Sequence, residues 1–124
     1  MNVLLIDDDL ILGELNKRAL IKHGYRAESF SDPMAAIKYA QQHKPNLILM
    51  DISMPVISGP EIAKILKDDI LLRYVPIVFV TGLVSTTDGD LLNKGLNVDG
   101  AQYPFLAKPY QSQQLLNVVK QYAR

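Results

Sequence analysis

The chain has 124 residues, 48% of them apolar and 21% charged, the make-up of one globular domain and not of a disordered or membrane-embedded chain. Thirteen Lys and Arg balance thirteen Asp and Glu with no basic run, so the charge footprint of a nucleic-acid binder is missing and any DNA-directed output would need another domain. Cysteine is absent, which excludes disulfides, thiolate metal sites and thiol nucleophiles.

No apolar run approaches the ~20 residues of a membrane span, and the N-terminus lacks the basic region and cleavage site of a signal peptide. A soluble cytoplasmic protein is the expectation. His23 and His43 both fall on polar helix ends and read as surface residues, which argues against a His-rich metal site or a Ser-His-Asp triad.

In chain order, the run Val3-Leu4-Leu5-Ile6 predicts a first strand, and Asp7, Asp8 and Asp9 follow it. Ile11, Leu12, Leu15, Ala19 and Leu20 recur at helical spacing, with Gly24 placed to end that helix in a left-handed conformation. A strand is expected from Tyr25 to Phe30. Ser31-Asp32-Pro33 then supplies a cap and a first-turn proline for a helix carrying Met34, Ile37 and Ala40, stopped by Lys44-Pro45. The run Leu47 to Met50 predicts a third strand ending at Asp51, and Ile62, Ile65 and Leu66 mark a helix after Gly59-Pro60. Ile77 to Val80 predicts a fourth strand, followed by Thr81.

From Gly82 to Gly100, glycines interrupt Leu91, Leu92, Leu96 and Val98, so a fourth helix there should be short or irregular. Phe105 to Ala107 reads as the last strand, and Leu115, Leu116, Val118, Val119 and Tyr122 as the apolar face of the last helix. Continuous apolar runs alternating with helical stretches, without repeat or linker, predict one α/β domain over residues 1–124 with a parallel sheet covered on both faces.

Ligands of open parallel sheets bind beyond the carboxyl ends of the strands. Here four strand ends deliver Asp7 to Asp9, Asp51, Thr81 and Lys108 to one edge. Converging carboxylates repel by ~4 kcal/mol per pair at about 4 Å for an effective dielectric near 20, so a cation is required between them. Oxygen ligands without His or Cys suit a hard ion such as Mg²⁺, with Mn²⁺ as a substitute. Lys108 adds a point charge suited to a phosphoryl oxygen and Thr81 a hydroxyl donor, which describes a phosphoryl-transfer site without a nucleotide-binding loop.

Together, Val3-Leu-Leu-Ile-Asp-Asp-Asp9, Leu47-Ile-Leu-Met-Asp-Ile-Ser-Met-Pro55 with Gly59, Val78-Phe-Val-Thr-Gly82 and Leu106-Ala-Lys-Pro109 resemble the sequence blocks of the response-regulator receiver family of two-component signalling. The resemblance implies a doubly wound, flavodoxin-like α/β fold with strand order 2-1-3-4-5. It implies phosphorylation of Asp51 by a sensor histidine kinase or a histidine phosphotransfer protein, giving an acyl phosphate. Asp8, Asp51 and the backbone carbonyl of Ser53 would ligate the metal, with Asp7 acting through water or as an orienter. Thr81 and Lys108 would bind phosphoryl oxygens, the Lys108-Pro109 bond would be cis, and Phe105 would be the aromatic that rotates inward as Thr81 moves. Asp9 reads instead as a helix cap.

In the family the output face is formed by the fourth helix, fifth strand and last helix, and a phosphorylation-dependent homodimer is compatible with it. The chain departs from the pattern in that region. The interval between Thr81 and Lys108 is long and Gly-rich, and Tyr103-Pro104 replaces the usual acidic residues before Phe105, so this segment is expected to be specialised or mobile. Two other classes compete: a receiver-like interaction domain that does not signal by phosphorylation, and a haloacid-dehalogenase-type phosphatase using Asp7-x-Asp9. Against the phosphatase, Ile11 stands where its motif has Thr or Val.

Overall fold

The computed structural model describes residues 1–52, 57–81, 96–98 and 101–124. In chain order these form β1 (Asn2–Ile6), α1 (Leu10–Lys22), β2 (Arg26–Phe30), α2 (Pro33–His43), β3 (Leu47–Asp51), α3 (Gly59–Asp68), β4 (Ile77–Thr81), β5 (Leu96–Val98), β6 (Ala101–Tyr103), β7 (Phe105–Ala107) and a last helix, Ser112–Tyr122. The strands β2-β1-β3-β4-β7 make a parallel five-stranded sheet. Since β7 is its fifth strand, the order is the expected 2-1-3-4-5.

The continuous apolar runs are explained by two layers. Leu4, Ile6, Ile48, Met50, Ile77 and Phe79 pack against Ala36, Ile37 and Ala40 of α2 and Ile62, Ala63 and Leu66 of α3. Their sequence neighbours Val3, Leu5, Leu47, Leu49, Val78 and Val80 face Leu20 of α1 and Leu115 and Val119 of the last helix. Successive side chains point to opposite faces of a strand, so a strand buried on both faces must be apolar at every position.

Helix ends follow local chemistry. Asp9 caps α1 by accepting from Leu12 N at 3.0 Å, and Asp32 caps α2 ahead of Pro33. Ser58 and Glu61 form a capping box on α3. After α1 the chain turns through Gly24 at φ +91°, in the left-handed region that favours glycine.

The expected first helix is present as α1, but not all the apolar residues that mark it face inward: Ile11 and Leu15 are 75% and 58% exposed. The inward face carries Leu12, Gly13, Asn16 and Leu20, a stripe broken by a glycine and an amide and therefore passed over by an apolar count.

The expected fourth helix falls mostly on residues outside the described set. Its described part, Leu96–Val98, is a strand, paired antiparallel with Ala101–Tyr103 in the register Val98↔Ala101. Only Asp99-Gly100 separates the two strands, a dipeptide favoured between hairpin strands. Tyr103 at the end of this hairpin stands edge-on to Phe79, with ring centroids 5.4 Å apart, and Lys67 Nζ lies 5.9 Å from the Tyr103 ring centre. Lys67 also donates to the carbonyls of Arg73 and Val75 at 2.8 Å each.

At the starting edge of the sheet, Asn46 joins residues distant in sequence. Its Oδ1 accepts from Asn2 N at 2.8 Å, its Nδ2 donates to Arg124 O at 2.6 Å, and its own carbonyl accepts from Arg124 N at 3.0 Å.

Candidate functional site

The opposite edge, where parallel strands end, gathers the acids. Asp7 follows the last residue of β1 and its N–H donates to Phe30 O of the neighbouring strand at 3.0 Å. Asp51 is the last residue of β3, and Ile52 N beyond it donates to Val80 O at 3.1 Å. Backbone ladders therefore fix both carboxylates on adjacent strand ends. Each residue is only 8% exposed.

Asp8 is exposed, and one carboxylate oxygen from each of Asp7, Asp8 and Asp51 lies within 4.8 Å of the others. The donor set is all oxygen and carries three negative charges, with two members buried. Such a set fits a hard divalent cation that keeps part of its water shell. Asp9 does not join it; its carboxylate faces the α1 backbone.

Lys108 reaches into this cluster. Its Nζ lies 3.4 Å from Oδ2 of Asp7 and 3.4 Å from Oδ2 of Asp51. Burial works against the charge on Lys108, but the two carboxylates outweigh it and raise its pKa. Burial also pushes the Asp7 carboxyl above its usual range, with the Asp51 charge acting in the same direction. The Asp9 N–H at 2.9 Å and the Lys108 ammonium oppose that shift without cancelling it. Three carboxylates thus share one described lysine, and burial is the main reason Asp7 holds its proton more tightly.

Among the remaining predicted residues, Thr81 is the last residue of β4, paired with Ala107 one position before Lys108. Ser53, Met54, Pro55 and Gly82 lie outside the described residues. The Lys108-Pro109 peptide is cis. Phe105 pairs with Phe79 and sits half-buried against the α2 and α3 layer beside Tyr103.

Three residues support the site from outside it: Gly59, which the sequence already marks as part of a motif, and Asn16 and Tyr110, which it does not. Gly59 opens α3 so close to β3 that a Cβ there would lie 2.5 Å from the Asp51 carbonyl oxygen. Asn16 of α1 donates through Nδ2 to the Tyr110 hydroxyl at 2.5 Å, across 94 residues of sequence. The one available signal for Asn16 was an amide at the inward helical spacing of Leu12 and Leu20; the Tyr110 contact left none.

Comparison with known proteins places these features. The family described as response regulator receiver domain matches residues 3–120. The chain is 30% identical over 121 residues to the polar-differentiation response regulator DivK of Brucella anthropi, covering 98% of this chain and 94% of that protein. The structure superposes on the chemotaxis protein CheY4 of Vibrio cholerae with a TM-score of 0.82 and 24% identity, covering 98% of this chain and 97% of that one. The receiver domain of a sensor histidine kinase of Pseudomonas aeruginosa, solved with a magnesium ion coordinated in its active-site cleft, gives 0.80 and 23%, covering 98% of this chain and 95% of that one.

Proposed function

The chain belongs to the response regulator receiver family of two-component signalling, and from that premise we propose that it accepts a phosphoryl group on Asp51 and passes the resulting change to a partner. The observation that carries this reading is the position of Asp51. It is a buried carboxylate fixed at a strand end, grouped with Asp7 and Asp8 and 3.4 Å from a lysine ammonium.

A carboxylate oxygen of Asp51 attacks the phosphorus of a phosphohistidine; the O–P bond forms as the N–P bond breaks, and the imidazole nitrogen keeps the electron pair. Asp8 and Asp51, with the Ser53 carbonyl, would hold Mg²⁺ or Mn²⁺, and Asp7 would act through water or as an orienter. When bound, the ion would supply positive charge to offset the carboxylates and the incoming phosphoryl group. Lys108 takes one phosphoryl oxygen and Thr81 another. Phe105, packed beside Tyr103, is the aromatic whose rotation reports the change.

The phosphodonor is a sensor histidine kinase or a histidine phosphotransfer protein. Exposed Leu10, Ile11 and Leu15 on α1, the helix that follows the acids, offer it a landing surface. The domain spans residues 1–124 and turns over nothing but its own phosphoryl group. Among the described residues no helix is long and apolar enough to cross a membrane, in keeping with a cytoplasmic site of action.

The test is incubation with Mg²⁺ and acetyl phosphate, followed by mass analysis for an acid-stable, base-labile phosphoryl group. A label lost in Asp51→Asn supports the reading; a label that persists in Asp51→Asn and vanishes in Asp7→Asn points to phosphatase chemistry. No label with any donor or metal leaves an interaction domain that works without phosphorylation.

A further inference from the structure

The loop that carries Lys108 is tied to α1 by one polar contact. Tyr110 follows Lys108 by two positions, its ring is packed into the layer between the sheet and α1, and its hydroxyl accepts from Asn16 Nδ2 at 2.5 Å. A small cavity separates this pair from the acids, and Asp7, Asp51, Asn16 and Tyr110 all contribute to its wall. Burial raises the Tyr110 pKa, which keeps the phenol protonated. Because the phenol oxygen accepts from Asn16, its own proton is left for an acceptor, and the cavity wall beneath carries two carboxylates.

Lys108 needs such a tether. It stands 3.4 Å from both Asp7 and Asp51, within charge contact of each but at the long limit of a hydrogen bond. A lysine has a flexible four-carbon stem, so where its ammonium rests depends on where its backbone is held. The strand β7 fixes the chain on one side, ending at Ala107. On the other side Tyr110 is the first side chain after Pro109 with a distant polar partner.

We propose that Asn16 and Tyr110 form a positioning pair, a hydrogen bond between α1 and the loop after β7 that sets Lys108 against the phosphoryl group on Asp51. This rests on the phosphorylation of Asp51 proposed above. Neither residue touches the reacting atoms; both act through Lys108.

The experiment measures the rate of phosphorylation by acetyl phosphate with saturating Mg²⁺ in the wild type, Tyr110→Phe, Asn16→Ala, Lys108→Ala and Tyr110→Phe/Lys108→Ala. Urea midpoints are recorded for each. Tyr110→Phe and Asn16→Ala should each slow phosphorylation about three- to tenfold, the range one hydrogen bond supplies. In the Lys108→Ala background Tyr110→Phe should cost nothing further, a result that loss of packing alone would not give.

Wild-type rates in the single variants, or the same fractional loss with and without Lys108, overturn the inference. If Tyr110→Phe does not fold, Asn16→Ala and its pair with Lys108→Ala decide by the same rule. A wild-type protein that takes no phosphoryl group overturns the underlying reading, and the inference with it. A wild type that is labelled alongside an equally fast Tyr110→Phe overturns the inference alone.

Discussion

Lys108 Nζ is equidistant, at 3.4 Å, from the carboxylates of Asp7 and Asp51, so one cation is shared by two buried anions on adjacent strands. It both neutralises them and competes with any metal for them.

Replacing Lys108 with Ala therefore has two opposed effects. Mg²⁺ should bind about tenfold tighter, because a positive charge a few ångströms away no longer repels it. Phosphorylation by acetyl phosphate should slow about 10- to 100-fold, for want of a donor to the phosphoryl oxygen. Tyrosine fluorescence titration and labelling kinetics measure the two; weaker metal binding in the variant would contradict the shared-cation account.

The raised pKa of Asp7 sets a pH dependence in metal-free buffer. A carboxyl that holds its proton more tightly folded than unfolded contributes stability below the unfolded pKa and loses it as pH rises through the folded one. The metal-free protein should thus lose stability from the ordinary carboxylate range up through the raised Asp7 pKa. Lys108, also raised, contributes stability that is lost only at the alkaline end, as pH passes its folded pKa. Urea midpoints across pH with chelator, wild type against Asp7→Asn, check this: the acid-side decline should shrink in the variant, and an identical profile would refute it.

Asp9→Ala should cost about 1 kcal/mol, the usual worth of a helix N-cap, and leave the phosphorylation rate within about twofold. Its carboxylate serves Leu12 N, not the acid cluster. A large loss of Mg²⁺ affinity would move Asp9 into the metal site.

Gly59→Ala should destabilise the fold by about 1–3 kcal/mol and slow phosphorylation about tenfold or more, since small misplacements of reacting groups are costly. The added methyl would meet backbone, 2.5 Å from Asp51 O and 3.0 Å from Ile52 Cα, and Asp51 would have to move with its carbonyl. Thermal unfolding and labelling rate should fall together; a variant with normal stability and rate would show that β3 yields freely.

Much of this was legible in the residues themselves. Strands buried on both faces announce themselves as unbroken apolar runs, and Asp9 and Asp32 stand where helices start, as their hydrogen bonds confirm; the cap Ser58, with Gly59 and Pro60 already inside α3, emerged only from the fold. The strand order came with the family likeness and was not contained in periodicity. What escaped was of two kinds. The inward face of α1 mixes Gly13 and Asn16 with apolar residues, because it must admit Ser29 close to the helix and meet the Tyr110 hydroxyl. The pair β5 and β6 was hidden because scattered leucines at loose helical spacing weighed more than one Asp-Gly between short strands. In the site, residue types, chain order and motif identified the acids, Lys108 and Gly59, whereas the close approach of Gly59 to Asp51 and the supports from Asn16 and Tyr110 depend on tertiary distances no spacing encodes.

The clasp at Asn46 bears on how this protein can be handled. One amide side chain and its backbone hold residues 2 and 124 beside each other, at the strand starts and away from the acids. A short loop joining Arg124 to Met1 would have little distance to bridge, and new ends could be opened at an exposed turn such as that around Gly24. Reporter dyes on residues near the two ends would read the loosening of that clasp, and so the integrity of the sheet, while staying blind to events at Asp51.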